Sequence, residues 1–449
     1  MKERVALSLT LWLFCAVAPA RAREATALTL TQAITIALEQ SPLLRAARYE
    51  VEAAQAGVEQ ARAGFLPRLN LQESFTRADN PVFAFSSKLN QGRFTQSDFE
   101  VRRLNDPGEM NNFRTSFSFE QPLYTAGKAA LGFTRAQLSR EATIRGLERT
   151  QQEVIFQVAK AYYGVLLAQA DLAVVQAALQ AAEANRNLAR DRFETGLVVE
   201  SDVLSAEVRL ASLTEQQIST RNQVTLAKAA VNDVIGRPLE EPFAVEDHLS
   251  RLPGRDSQLE ELETLTLQKR PDYQKLGLEE QALERSIALA QADFFPTVSA
   301  TANYEVNRFN FAANGQASWF VGVVARWNLF NGLADRAKVA EARAHLARVQ
   351  ALRARMASAI MLEVQEAFLQ LKSAEERIGV AHRAVMQAAE SFRIVTDRYQ
   401  AGLTTMVDLL ASEAALTQAK GNLTRALYDY NVSLTSLELA VGTISKDSF

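Results

Sequence analysis

Two stretches of the sequence decide the fold: RFETGLVVESDVL at residues 192–204 and RYQAGLTTMVDLL at residues 398–410. They share, in the same order, an arginine, an aromatic residue, a Gly-Leu pair, an aspartate and a closing leucine. Because glycine adopts positive φ at a helix end without steric cost, Gly196 and Gly402 predict a tight hairpin-tip turn between two helices in each stretch.

The two stretches belong to a longer internal repeat. Leu123 matches Leu329 at the same offset of 206 positions, whereas Pro67 matches Pro296 at an offset of 229. Two constant offsets indicate one tandem duplication, with an insertion of about 23 residues between Pro67 and Leu123 in the first copy.

The repeat predicts a four-part organisation of the chain. The parts are a signal peptide at 1–22, a first repeat at 23–236, an inter-repeat linker at 237–270 and a second repeat at 271–449. Each repeat is predicted to contain a first helix, a β-hairpin and a long helical hairpin. The β-hairpins are expected at about 67–122 and about 296–329, and the helical hairpins at 128–236 and 333–442.

Long helices are predicted from the distribution of proline, which interrupts helix interiors. Residues 123–237 and 297–449 contain no proline. Within these stretches, apolar residues recur at alternating spacings of three and four, which is typical of coiled-coil packing. Helices over 128–195 and 333–401 would each extend about 100 Å, at about 1.5 Å per residue.

The β-hairpins are predicted from a change of period. After Pro67 and Pro296 apolar and polar residues alternate, in runs long enough for tilted transmembrane strands. Aromatic residues near the strand ends suit a barrel girdle at the membrane interfaces. These girdle residues are Tyr124, Trp319, Trp327 and Phe330. From the strands alone, two soluble hairpins with one wet face remain an open alternative.

The N-terminus has the pattern of an export signal: Lys2 and Arg4, an apolar run and a small-x-small cleavage pattern. The single cysteine, Cys15, lies inside this segment, where lipidation is conceivable. We expect no transmembrane helix after it, because no uninterrupted run of about 18 apolar residues follows.

Composition argues against several classes of function. With 49 basic and 52 acidic residues, the net charge of −3 is not that of a nucleic-acid-binding protein. The three histidines show no metal-ligand spacing, and no phosphate-binding glycine loop or catalytic pattern occurs. We therefore expect no enzyme activity, no cofactor and no metal site.

If the strands lie in a membrane, geometry requires at least two chains that share one barrel. Four strands cannot close a barrel, and an open sheet edge is not tolerated in lipid. The predicted fold class is therefore predominantly α-helical with a small transmembrane β part. A long coiled-coil helical barrel would continue into a β-barrel that chains share, with four strands from each chain.

With its signal peptide, duplicated plan and repeated R-[FY]-x-x-G-L motif, the chain resembles the TolC family of outer-membrane efflux proteins. The resemblance implies a homotrimer with a 12-stranded barrel, a periplasmic helical tube and an equatorial region that includes residues 237–270. It also implies docking to a periplasmic adaptor and an inner-membrane pump. Asp408 stands where the family has a ring aspartate, and Tyr399 and Asp202 match positions of closing links at the periplasmic gate. The sequence departs at Thr404, where an arginine is expected, and at Ala411, where a second aspartate is expected.

Three alternatives remain open at this level. The chain is either a passive exit duct for efflux or type I secretion, or a secreted coiled-coil structural or adhesive protein. Asp408 either forms an acidic ring or caps the first turn of a helix. The insertion within 78–112 either extends the strands or forms a long extracellular loop. Such a loop would either constrict the outer mouth or lie on the surface without a gating role.

Overall fold

The computed structural model describes residues 26–245, 247–254 and 258–449. The predicted signal peptide and Cys15 lie outside the described residues. Helices dominate the chain. They are α1 (Leu30–Gln40), α2 (Pro42–Arg62), α3 (Pro81–Asn90), α4 (Val101–Asn105), α5 (Lys128–Glu194), α6 (Glu200–Ile235), α7 (Leu259–Lys269), α8 (Pro271–Ala292), α9 (Ala334–Gln400) and α10 (Met406–Val441).

The strands form two separate sheets. They are β1 (Thr26–Ala27), β2 (Arg68–Ala78), β3 (Met110–Tyr124), β4 (Phe243–Ala244), β5 (Thr297–Arg308) and β6 (Gln316–Arg326). The main sheet has the order β2-β3-β5-β6, and every pair in it is antiparallel. The second sheet is short and parallel, and consists of β1 paired with β4. The helix-dominated fold with a four-stranded main sheet confirms the predicted fold class.

The long helices α5 and α9 each contain 67 residues. Compared with the predicted 128–195 and 333–401, α5 is one residue shorter at its C-terminal end and α9 is one residue shorter at each end. Each ends at a glycine in the left-handed region: φ is 73° at Gly196 and 75° at Gly402. The amide of Leu197 donates to the Arg192 carbonyl at 2.8 Å, and that of Leu403 to the Arg398 carbonyl at 2.9 Å. This pairing satisfies the last carbonyls of each helix, as a Schellman turn does.

The main hydrophobic core lies around the middle of α5. Val158 and Tyr162 are fully buried there, against Ile34 of α1 and Ile235 at the end of α6. α5 also contains an 18-residue window with a mean hydropathy of 1.5, which by length and composition could cross a membrane. This window is not an uninterrupted apolar run, so the expectation of no transmembrane helix after the signal peptide stays a prediction. Within the described chain, 33% of that window is buried.

Arg270 fixes the junction between the linker and the second repeat. Its side chain is 5% exposed, donates to both carboxylate oxygens of Asp272 at 2.7 and 3.0 Å, and contacts Glu363 at 2.5 Å. It also donates to the Ala440 carbonyl at 3.1 Å. One buried guanidinium thus ties together the start of α8, the middle of α9 and the end of α10.

The insertion is more structured than a loop or a strand extension. After β2 the chain forms α3, a short 3₁₀ turn at Gln96–Phe99 and α4 before it enters β3. The sequence also gave no indication of α1 and α7, which precede the helices that begin at Pro42 and Pro271.

Candidate functional site

The register of the main sheet separates an apolar face from a polar face. Leu71 pairs with Phe117, Phe117 with Tyr304, and Tyr304 with Trp319, so these four side chains lie in one row on the same face. The next row pairs Leu69, Phe119, Ala302 and Val321 in the same way. Leu69, Val321 and Trp319 are between 71 and 75% exposed, which is unusual for large apolar side chains in water.

The opposite face of the sheet is polar. Its rows pair residues from all four strands, and they include Gln72, Ser116, Glu305 and Ser318, and then Ser74, Arg114, Asn307 and Gln316. Arg114 lies 3.5 Å from Glu305 on this face. Apolar residues outside and polar residues inside are the pattern of a membrane barrel with an aqueous lumen.

The predicted aromatic girdle residues lie at two levels. Tyr124 ends β3, while Trp327 and Phe330 follow β6, so these three lie at the end of the sheet that joins the long helices. The Trp327 indole donates to the Phe294 carbonyl at 3.0 Å. Trp319 pairs with Tyr304, three rows along the apolar face from the row that contains Tyr124. The spacing between the two levels suits two interfacial belts.

Each strand of the main sheet continues into the helical part through a short turn. Between β3 and α5 lie Ala126 and Gly127 with φ of 53° and 80°, and between β6 and α9 lie Gly332 and Leu333 with φ of 68° and 69°. The outer strands β2 and β6 have no partner on their outer edges within the described chain. The sheet is therefore an open segment joined directly to two long helical hairpins.

At the hairpin tips, Tyr399 packs between the two hairpins. Its side chain is 1% exposed and contacts Ala189 of α5, Ala206 of α6, and Met406 and Leu409 of α10. Its hydroxyl is buried and makes no hydrogen bond to a described residue. Burial raises the pKa of Tyr399, and the nearby Asp202 carboxylate raises it further, while Arg192 opposes the rise.

Arg192 connects the first hairpin to the second at the same point. Its guanidinium donates to the carbonyl of Tyr399 and, at 3.2 Å, to that of Gln400, and it lies 5.1 Å from the centre of the Tyr399 ring. A cation at these carbonyls also interacts favourably with the negative end of the α9 dipole. In the sequence, Arg192 stands out only as part of the repeated motif. Nothing in the sequence indicates its contact with the second hairpin.

Asp408 lies in the first turn of α10 and closes a capping box. One of its carboxylate oxygens accepts from the hydroxyls of Thr404 and Thr405, both at 2.7 Å, and from the Thr405 amide at 3.2 Å. The Asp408 amide donates back to the Thr405 hydroxyl. These hydrogen bonds hold the pKa of Asp408 below its usual value. Within one chain Asp408 is therefore a capping residue, and Thr404 takes part in the cap.

Asp202 occupies the equivalent first turn of α6 and makes no side-chain capping bond. A third contact between the hairpins lies further along the helices, at Glu413, which is 2% exposed. Its carboxylate accepts from Asn185 of α5 at 2.8 Å and from Arg209 of α6 at 3.3 Å. Burial raises the pKa of Glu413, while Arg209 and Asn185 oppose that rise.

A sheet with one lipid-facing and one polar face, continued by helices of 67 residues with polar ties at their tips, defines an outer-membrane channel with a periplasmic helical extension. Residues 33–237 and 262–443 match the model of the outer membrane efflux protein family. The chain belongs to this family, which confirms the predicted resemblance. Its members are channel proteins rather than enzymes.

Relatives and solved structures agree with this assignment. The chain is 24% identical to the outer membrane protein TolC of Vibrio cholerae, over 91% of this chain and 90% of that protein. It is 24% identical to the alkaline protease secretion protein AprF of Pseudomonas aeruginosa, over 97% of this chain and 89% of that protein. The structure of VceC from Vibrio cholerae matches 92% of this chain and 96% of its own, with a TM-score of 0.76 and 23% identity.

The protein is therefore an outer-membrane channel of efflux or secretion, which lies in the outer membrane and extends into the periplasm. The alternative of a secreted structural or adhesive protein has no support. Among residues 26–245, 247–254 and 258–449, no group of three or more His, Cys, Asp or Glu side chains could hold a metal ion.

Proposed function

We propose that three copies of this chain assemble into one export duct, in which twelve strands close a shared barrel. The observation that carries the proposal is the open four-stranded sheet, whose outer strands β2 and β6 lack edge partners in the described chain. An unpaired edge is costly in lipid, since its amide and carbonyl groups have no water to bind. Pairing β2 of one copy with β6 of the next removes every edge.

The helical hairpins of the three copies would then form a tube on the periplasmic side. The turns after β3 and β6 lead straight into α5 and α9, so the tube and the barrel share one axis. At about 1.5 Å per residue, helices of this length reach about 100 Å from the membrane. The tips at Gly196 and Gly402 would meet near the axis and close the periplasmic entrance.

The gate of this duct would use Asp408, Asp202 and Tyr399, together with Arg192. Three copies of Asp408 near the axis would form a negative ring that attracts cations. Arg192 supports this assignment, because it supplies a cationic tie between the hairpins in a chain that has Thr404 where the family has an arginine. Opening would require the α9/α10 hairpin to separate from α5/α6, and thus the Arg192 contacts to break.

We further propose that the duct works with a periplasmic adaptor and an inner-membrane pump, and that the pump selects the cargo. The relatives named above are the outer membrane protein TolC and the alkaline protease secretion protein AprF. A polar lumen wall suits both solutes and polypeptides.

The assembly is tested by native mass spectrometry of the mature protein in detergent. The proposal predicts a single species of three chains. A stable monomer with a folded sheet, or a different number of chains, would contradict it.

A further inference from the structure

The insertion between β2 and β3 lies against the polar face of the main sheet. Its helix α3 contacts β3, β5 and β6, and so crosses from the first β-hairpin to the second. Ala84 and Ser87 of α3 are buried at 0 and 3% exposure. The segment is therefore packed on the sheet and does not project into solvent as a free loop.

Gln91, directly after α3, makes the central contact. Its side-chain amide donates to the side chain of Asn112 at 3.0 Å, and to the carbonyls of Asn111 at 2.8 Å and Arg308 at 3.3 Å. The Asn112 amide in turn donates to Asn307 at 2.8 Å. Gln91, Asn112 and Asn307 are 5, 8 and 1% exposed, so this network is buried between the insertion and the polar face.

The backbone at Gly92 lies close to a third strand, β6. A side chain at Gly92 would approach the Gln316 side-chain oxygen of β6 to 2.9 Å, which shows that the insertion backbone lies close above β6. The Arg93 guanidinium lies 4.3 Å from the centre of the Phe309 ring. Phe309 belongs to the loop between β5 and β6. The insertion is thus held on both β-hairpins of the chain.

The insertion is also held together internally. Lys88 of α3 pairs with Asp98 of the 3₁₀ turn at 2.8 Å, and Asp98 accepts from the amide and hydroxyl of Thr95. These hydrogen bonds and the Lys88 charge hold the pKa of Asp98 well below its usual range. The rings of Phe85, Phe94 and Phe99 stack edge to face, at 4.7 and 5.1 Å between centres.

We infer that residues 81–105, which we call the outer cap, form a fixed constriction at the extracellular mouth of the duct and set the upper size of cargo that leaves it. The inference rests on the proposed function, because the polar face is the lumen wall only in the closed barrel. The cap lies at the end of the sheet opposite the long helices, since it joins the outer ends of β2 and β3. Three copies would place three caps around one mouth.

The cap differs from the periplasmic gate in its chemistry. Its hydrogen bonds to the wall are buried and run from the side-chain amide of Gln91 to two strands, β3 and β5, and its own parts are linked by an ion pair and an aromatic cluster. These buried contacts favour one fixed arrangement of the cap, although the Gln91 side-chain oxygen accepts no hydrogen bond from a described residue. The cap therefore restricts size permanently, whereas opening and closing belong to the hairpin tips.

The test compares three proteins in planar bilayers: the unaltered protein, a variant in which a short Gly-Asn turn replaces residues 81–107, and Gln91→Ala. Single-channel conductance is measured together with the size of polyethylene glycol that reduces current from the extracellular side. Removal of the cap should raise conductance about twofold or more and admit larger polymers. Gln91→Ala should shift both in the same direction by less. Val82→Ser is the matched control, because Val82 is 78% exposed on the cap and should change neither.

The outcomes separate this inference from the proposed function. If the unaltered protein conducts and the trimeric cap-deleted variant has the same conductance and the same polymer cut-off, the cap is a surface element and the inference is wrong. If the unaltered trimer forms no channel, the proposed duct itself fails.

Discussion

Arg192 of the first helical hairpin donates to the backbone carbonyl of Tyr399 in the second, and its guanidinium lies 5.1 Å from the centre of the same residue's ring. The two residues are 207 positions apart in the sequence and meet at the hairpin tips. The contact combines a charge-assisted hydrogen bond, a cation–π contact and a favourable position at a helix C-terminus. Together with the packing of Tyr399 and the buried Glu413 carboxylate, it sets the relative position of the two hairpins.

Replacing Arg192 should therefore loosen the periplasmic gate. We expect Arg192→Ala to raise single-channel conductance, because the α9 carbonyls lose their cationic partner and the second hairpin is freer to move outward. The conductance of Arg192→Lys should lie between those of Arg192→Ala and the unaltered protein, since lysine keeps the charge but lacks the planar fork that binds two carbonyls. Arg190→Ala is the control, because the Arg190 side chain is 61% exposed and, among the described residues, forms an ion pair only with Glu194 on its own helix. Equal conductance of Arg192→Ala and the unaltered protein would remove Arg192 from the gate.

The two roles of Asp408 can be separated by experiment. Asp408→Asn removes the charge but keeps an oxygen that can accept from Thr405, so block by divalent cations should fall while thermal stability stays close to that of the parent. Thr405→Ala removes the N-cap and should lower the free energy of unfolding by about 1 kcal/mol, with cation block unchanged. Bilayer recordings with Mg²⁺ and thermal unfolding measure the two effects. If Asp408→Asn leaves the block unchanged, Asp408 is a helix cap only.

The assignment of the sheet faces predicts opposite outcomes for two neighbouring residues of β6. Val321→Arg places a charge on the lipid-facing side, where arginine near the bilayer centre costs about 2–4 kcal/mol. Gly322→Arg places the same charge on the polar face, where a Cβ at Gly322 meets nothing closer than the Thr301 hydroxyl at 4.0 Å. The yield of folded trimer in the outer membrane should fall for the first variant and stay near the parent level for the second. The reverse order would mean that the faces are assigned the wrong way round.

Arg270 should dominate the stability of the junction between the repeats. Arg270→Ala leaves Asp272 and the Ala440 carbonyl without their shared donor, and breaking a buried pair in this way costs about 3–5 kcal/mol. The free energy of unfolding in denaturant is the measurement. Arg377→Ala is the matched control, because the Arg377–Asp429 pair is partly exposed on the same helix pair and should contribute about 1 kcal/mol or less. A similar small effect for both variants would show that the junction depends on apolar packing alone.

The long helices and the strands could be predicted because each has a regular period. The heptads of α5 and α9 and the alternation in β2, β3, β5 and β6 repeat over many residues, and proline and glycine mark their ends. The predicted bounds differ from the structure by one residue at the C-terminal end of α5 and by one residue at each end of α9. The residues that the two hairpin tips share also predicted the resemblance to the family.

The parts that were missed depend on contacts between distant segments. α1 and α7 are short, and their burial against α5 and α9 is not visible in local periodicity. The outer cap is held by Gln91, whose partners Asn112 and Arg308 lie 21 and 217 positions away. Arg192 matched Arg398 in the motif, yet only the packed tips show that it reaches Tyr399. The tandem duplication remains a prediction from the two offsets.

The most direct test of the whole account is the current that the purified mature protein carries across a planar bilayer. If three chains share a barrel that continues into a gated tube, discrete current steps should appear, and Arg192→Ala should enlarge them. A protein verified as a trimer in detergent that inserts into the bilayer and gives no steps, with or without this substitution, would contradict the account.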